Sequence, residues 1–235
     1  MHYLLLLMLV ITVPVAAKEP LRIAVAANFR STLQQISDLF QQRTGHRVVL
    51  SSGSTGVLYS QILFGAPFDL FFSADVAATQ RLATEDTDAS RGEPFCYARG
   101  TLVLTGGNGD LAQLADPNLS LAIANPATAP YGVAAMTVLA RPEFAAGSDR
   151  KLVRGTNVVQ AYQFWHSGGA DLALLPKALA PNATAVPTAW HAPVDQFAIA
   201  LAPVKGNTVL DSYLKWIRSD TVRALIFNAG YQPCP

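Results

Sequence analysis

Charge is scarce in this chain of 235 residues: Asp, Glu, Lys and Arg together make up 14% of it, against roughly 25% in an average soluble domain. The 17 basic and 16 acidic side chains nearly cancel, to a formal net charge of +1, and no basic run occurs. Such a balance lacks the electrostatic footprint of a nucleic-acid binder, so no nucleic-acid partner is expected. Beyond the N-terminus no apolar run approaches the ~18 residues of a membrane-spanning helix. Histidine occurs only at His2, His46, His166 and His191, too scattered for a metal site, and neither His-x-x-x-His nor Cys-x-x-Cys is present. No Gly-x-Ser-x-Gly elbow marks a hydrolase nucleophile. Asp69 and Asp75 flank a strand and read as caps or hinges rather than as a catalytic pair. These absences point to a protein that is not an enzyme and holds neither a metal of its own nor a cofactor.

The first 17 residues read as a cleaved signal peptide. Residues 3–13 are apolar apart from one Thr, Pro14 breaks the run, and Val15-Ala16-Ala17 supplies a small-x-small site before Lys18. The n-region carries His2 but no Lys or Arg. The run is too short for an uncleaved anchor, and no Cys follows it to take a lipid. Export to the periplasm is the expectation. The two cysteines, Cys96 and Cys234, fit an oxidising compartment and one disulfide, with two free thiols as the alternative.

The rest of the chain alternates between strand and helix patterns. Residues 21–26 (LRIAVA) form a buried strand, followed by Phe29, Leu33, Ile36 and Phe40 at helical spacing. Residues 47–51 form a strand, and Val57, Leu58, Ile62 and Leu63 mark a helix. Residues 69–73 and 95–105 are strands, as is 121–124, which precedes a helix over 132–139. A helix over 158–166 leads to strands over 171–175 and 196–203, and one or two helices close the chain over 211–229. This order predicts an α/β protein of two lobes, each a mostly parallel sheet flanked by helices, joined by two crossover strands. Residues 18–98 with 200–235 form one lobe and 99–199 the other.

Four strand-to-helix loops share one chemistry: residues 26–29 (AANF), 51–56 (SSGSTG), 125–132 (NPATAPYG) and 155–158 (GTNV). All are built from small, hydroxyl or amide residues and none carries a charge. Taken singly, each is a set of ordinary helix caps, because Asn, Ser and Thr cap well. Together they are four helix N-termini at the carboxyl ends of strands, where N–H groups and helix dipoles favour anions. Donors without a carboxylate suit a fully deprotonated dianion better than phosphate, which still carries a proton at neutral pH.

These loops, with Gln61-Ile62 and the run Gly65-Ala66-Pro67-Phe68-Asp69-Leu70-Phe71-Phe72-Ser73-Ala74-Asp75, resemble the periplasmic molybdate-binding proteins of ABC transporters. Asn157-Val158-Val159-Gln160-Ala161 extends the resemblance, which runs over residues 21–232. It implies a two-lobed, type II periplasmic binding protein fold that closes on molybdate or tungstate, and an inner-membrane ABC permease as partner of a monomer. It further implies that Asn28, beside the backbone of Ala27, contacts the oxyanion from the first loop. Thr55 with Ser54 does so from the second loop, and Tyr131 and Val158 close the site through backbone N–H groups. One branch of that family has Ser in place of Asn28 and Tyr in place of Pro176; this chain resembles the other branch. Ala27 lacks the hydroxyl of some relatives. Another oxyanion such as sulfate, or an enzyme on the same fold, is the alternative.

Overall fold

A computed structural model describes residues 19–85, 92–201, 203 and 206–235; the signal peptide read from the sequence lies outside them. The first sheet contains β1 (Leu21–Ala26), β2 (Val48–Gly53), β3 (Leu70–Phe72), β4 (Phe95–Gly100) and, much later in the chain, β10 (Val194–Ala200). The second contains β5 (Leu102–Gly106), β6 (Leu121–Ala124), β7 (Leu152–Gly155), β8 (Leu172–Pro176) and β9 (Thr184–Ala185). Their orders, β2-β1-β3-β10-β4 and β7-β6-β8-β5-β9, repeat one plan. In each, a central strand pairs in parallel with both neighbours, and the fourth strand runs antiparallel to those beside it. Each sheet is therefore mixed, with one strand against four.

Helices α1 (Arg30–Thr44), α2 (Thr55–Leu63), α3 (Val76–Glu85), α6 (Thr208–Ile217) and α7 (Asp220–Asn228) cover the first sheet, and α4 (Pro130–Leu139) and α5 (Val158–His166) the second. The Phe29, Leu33, Ile36 and Phe40 stripe is fully buried against β1, α6 and α7, and α1 stops at Gly45, whose φ of 68° suits glycine at a helix end. Two leucine- and alanine-rich clusters fill the faces of the second sheet.

Several sequence expectations change. Residues 95–105 are two strands, because the chain leaves the first sheet at Gly100 and enters the second at Leu102. β10 pairs with β3 and β4, so the chain has returned to the first sheet by Val194 rather than at residue 200. In α2, Leu58, Tyr59 and Ile62 face inward, whereas Val57 and Leu63 are 43% and 50% exposed. The closing segment is two helices, the second capped by Ser219. Helix α3 and strand β7 escape the pattern reading, being weakly apolar. Asp69 and Asp75 are structural: Asp69 accepts the Arg22 N–H at 2.7 Å, and Asp75 caps α3 through the Ala78 N–H at 2.9 Å.

Cys96 and Cys234 are bridged, with their Cα atoms 6.0 Å apart. The bridge fastens the last residues to β4 and closes a loop of 138 positions. Replacing both (Cys96→Ser with Cys234→Ser) is expected to lower the unfolding free energy by about 2–4 kcal/mol. Urea denaturation measures this, and an unchanged midpoint would contradict it.

Candidate functional site

The loops after β1, β2, β6 and β7 run into α1, α2, α4 and α5 at the carboxyl ends of the strands. They meet between the lobes around a small cavity. All six residues singled out in the sequence line it: Ala27, Asn28, Ser54 and Thr55 from the first lobe, Tyr131 and Val158 from the second. Each is buried. The sequence reading did not single out Ala74, from the loop after β3, nor Ala26, Ala129, Pro130 and Asn157, which also line it. Pro176 ends β8 and is not among the lining residues. The lobes touch beside the cavity, where the Gly56 N–H donates to the Thr128 carbonyl at 2.9 Å.

How these helices begin separates them from the others. The first N–H groups of a helix have no intrahelical acceptor and are normally satisfied by a capping side chain. Asn207 caps α6 through the Leu210 N–H, and Ser219 caps α7 through the Val222 N–H. At the cavity, the residues preceding α1, α2 and α4 are Phe29, Ser54 and Ala129, and none makes a side-chain cap bond. Asn157 does cap α5, but through the N–H groups of Val159 and Gln160 at 2.9 and 3.1 Å, which passes over Val158. Pro130 at the start of α4 has no N–H, so Tyr131 offers the first one.

Among the described residues, the N–H groups of Thr55, Tyr131 and Val158 at their helix starts, and that of Asn28 in the turn before α1, meet no protein acceptor. The Ser54 Oγ is likewise buried without a partner. The Thr55 hydroxyl is engaged, accepting the Ala74 N–H at 3.0 Å. The Ala27 N–H is also engaged, on the Gly53 carbonyl at 2.9 Å.

A polar network supports the cavity from behind. Asn28 Nδ2 donates to Gln196 Oε1 at 2.7 Å, Tyr97 Oη lies 2.9 Å from the same oxygen, and Gln196 Nε2 donates to Tyr131 Oη at 3.4 Å. Gln196 is fully buried. Gly100, where β4 leaves the first sheet, makes room for this junction: a Cβ there would land on the Tyr131 hydroxyl. Neither Gln196 nor Tyr97 was legible as a site residue. The one trace in the sequence is the Gln that opens the strand predicted over 196–203, ahead of apolar residues.

None of the lining residues is charged. Burial raises the Tyr97 and Tyr131 pKa values well above the ordinary tyrosine value, with Tyr231 the next cause for both, and burial raises that of Tyr231. The hydroxyls stay protonated, so the cavity presents neutral donors and fixed dipoles, suited to a small anion that needs no proton acceptor.

A donor-lined cavity between two α/β lobes of this topology defines a solute-binding protein. The chain belongs to the family of bacterial extracellular solute-binding proteins, whose model matches residues 21–232. It is 35% identical over 230 residues to the molybdate-binding protein ModA of Azotobacter vinelandii, covering 92% of this chain and 91% of that protein. It is 34% identical over 239 residues to ModA of Rhodobacter capsulatus, covering 97% and 93%. The solved structure of the A. vinelandii periplasmic molybdate-binding protein matches with a TM-score of 0.80 at 32% identity, over 92% of this chain and 100% of that one.

The raised tyrosine pKa values set an alkaline limit on stability. A group whose pKa is higher in the folded state contributes fully below its unfolded pKa, here about 10, and loses that contribution as pH rises further. Unfolding midpoints are expected to hold steady from about pH 7 to about pH 9 with respect to these groups and to fall above about pH 10. Replacing Tyr131 and Tyr231 by Phe should flatten the alkaline fall; an unaltered profile would contradict it.

Proposed function

We propose that this protein captures molybdate, and tungstate with it, in the interlobe cavity and delivers it to an ABC permease in the inner membrane. It is exported to the periplasm by a cleaved signal peptide and acts as a monomer, without catalysis and without a cofactor. The observation that carries this reading is the convergence of unpartnered N–H groups, at or just before the starts of four helices, on a buried cavity that has no carboxylate. The identity to molybdate-binding proteins over nearly the whole chain supports the choice of ligand.

In this reading the N–H groups of Asn28, Thr55, Tyr131 and Val158 and the Ser54 hydroxyl donate to the oxyanion, with Ala27 packing beside it. Hydrogen bonds to a charged acceptor contribute about 1.5–3 kcal/mol each. Less the costs of desolvation and closure, the set is sufficient for about −8 to −12 kcal/mol, or micromolar to nanomolar affinity. Phosphate is disfavoured for a chemical reason: its remaining proton at neutral pH finds no carboxylate acceptor in the lining.

Isothermal titration with molybdate, tungstate, sulfate and phosphate tests the reading. Molybdate and tungstate are expected to bind at micromolar affinity or tighter, with phosphate silent. Tight binding of sulfate alone would reassign the ligand, and silence from all four would reopen the reading of an enzyme on this fold. Ser54→Ala removes one donor and is expected to weaken molybdate binding about 10- to 100-fold. Wild-type affinity in that variant would remove Ser54 from the site.

A further inference from the structure

We infer that the C-terminal segment, residues 231–234, is part of the binding apparatus: Tyr231 is a positioning residue for Asn28, and the Cys96–Cys234 bridge keeps it in place. The inference rests on the function proposed above. Asn28 carries one of the unpartnered N–H groups at the cavity, and Tyr231 grips that residue twice. The Tyr231 hydroxyl donates to the Asn28 carbonyl at 2.7 Å and accepts from Asn28 Nδ2 at 3.3 Å. One side chain from the far end of the chain thus fixes both the peptide plane and the side-chain amide of the first-loop residue. The Tyr231 ring also meets Phe29, the next residue of that loop, edge-on at 5.3 Å.

Tyr231 lies beyond the end of α7, after the Gly230 turn, in a segment outside any helix or sheet strand. Tails of this kind are poorly ordered unless tied down. This one is tied at successive points along one strand. Gln232 and Arg99 exchange backbone hydrogen bonds at 2.8 Å in both directions, and Cys234 is bonded to Cys96. The same strand, β4, carries Tyr97, which meets Gln196 and so the other flank of Asn28. Neither cysteine lines the cavity, yet the tail reaches Asn28 directly through Tyr231 and the strand reaches it through Gln196. A bridge that served only to close a loop would have no reason to affect ligand affinity; this one does.

The test compares Tyr231→Phe, which keeps the ring against Phe29, with the Cys96→Ser/Cys234→Ser protein. Tyr213→Phe is the control, because it removes an equally buried hydrogen bond, Ser37 to Tyr213 at 2.7 Å, in the same lobe and off the cavity. Molybdate affinity, measured well below each unfolding midpoint, is expected to weaken about 3- to 10-fold in the first two and to stay unchanged in the control. Wild-type affinity in Tyr231→Phe, or an equal loss in Tyr213→Phe, overturns the inference. Should the wild-type protein bind no oxyanion, the function fails separately, and hydrogen exchange in ligand-free protein decides the positioning role. The Asn28 segment is then expected to exchange faster in Tyr231→Phe and not in Tyr213→Phe, and equal exchange in both overturns it.

Discussion

A backbone N–H group buried without an acceptor destabilises a fold by about 1–3 kcal/mol, and proteins ordinarily avoid the situation by capping their helices. Helices α6 and α7 follow that rule. The helices that meet between the lobes leave N–H groups unpartnered instead, and much of the local sequence is explained by the difference. Ala129 and Phe29 stand where Asn or Ser would cap. Ser54 has the right side chain but keeps its hydroxyl off its own helix. Asn157 is a good cap that reaches the second and third N–H groups and leaves the first. The cavity is thus a concentrated demand for an acceptor, held at fixed positions by four strand ends.

Dipoles and neutral donors have a consequence that lysine or arginine would not. A guanidinium attracts any anion and tolerates many geometries, whereas N–H groups anchored in two separate sheets demand an acceptor of one size at one place. The network behind them is neutral as well. Tyr97, Tyr131 and Tyr231 are held protonated by burial, and Gln196 uses its amide oxygen and nitrogen to join three segments of the chain. Fully satisfied buried networks are rigid, so the donors in front of this one cannot swing to accommodate a poorer ligand. Selectivity in the proposed function then follows from what the cavity lacks, namely a carboxylate and any mobile charge.

The parts of this architecture that rest on local pattern were legible in the sequence. Strands 21–26 and 121–124 and the helix 158–166 have the boundaries that alternation and spacing predict. All the singled-out loop residues share one cavity because strand-to-helix loops in such sheets gather at one end. What local pattern cannot carry was missed. The strand pattern over 95–105 does not interrupt at Thr101, since strand-forming residues continue on both sides; only pairing partners far away in sequence separate the two halves. In α2, Val57 and Leu63 are as apolar as Leu58 and Ile62, and periodicity alone does not choose between the two faces. Gln196, Tyr97 and Tyr231 acquire their roles from one another, across separations of up to 203 positions, and no single one of them is unusual in its own segment.

The arrangement of the two crossings ties the site to the relative position of the lobes. The chain leaves the first lobe just after Gly100 and re-enters it at β10, and these two crossings lie side by side. A Cβ on Gly100 would meet both the Tyr131 hydroxyl and the Gln196 amide. Tyr131 opens α4 in the second lobe, yet its side chain is anchored on Gln196 of β10, a strand of the first sheet. The same Gln196 holds Asn28 on the first-lobe side. The hydrogen bond that places Asn28 and the one that places Tyr131 are therefore made by one side chain, two residues inside the first sheet from the crossing at Val194. A rotation that separated the lobes would break the Gln196–Tyr131 bond and the Gly56–Thr128 contact at the cavity edge while leaving Gln196 on Asn28. An anion that engages donors of both lobes binds this arrangement better than any opened one, and that difference in affinity is what a ligand needs in order to close the protein on itself.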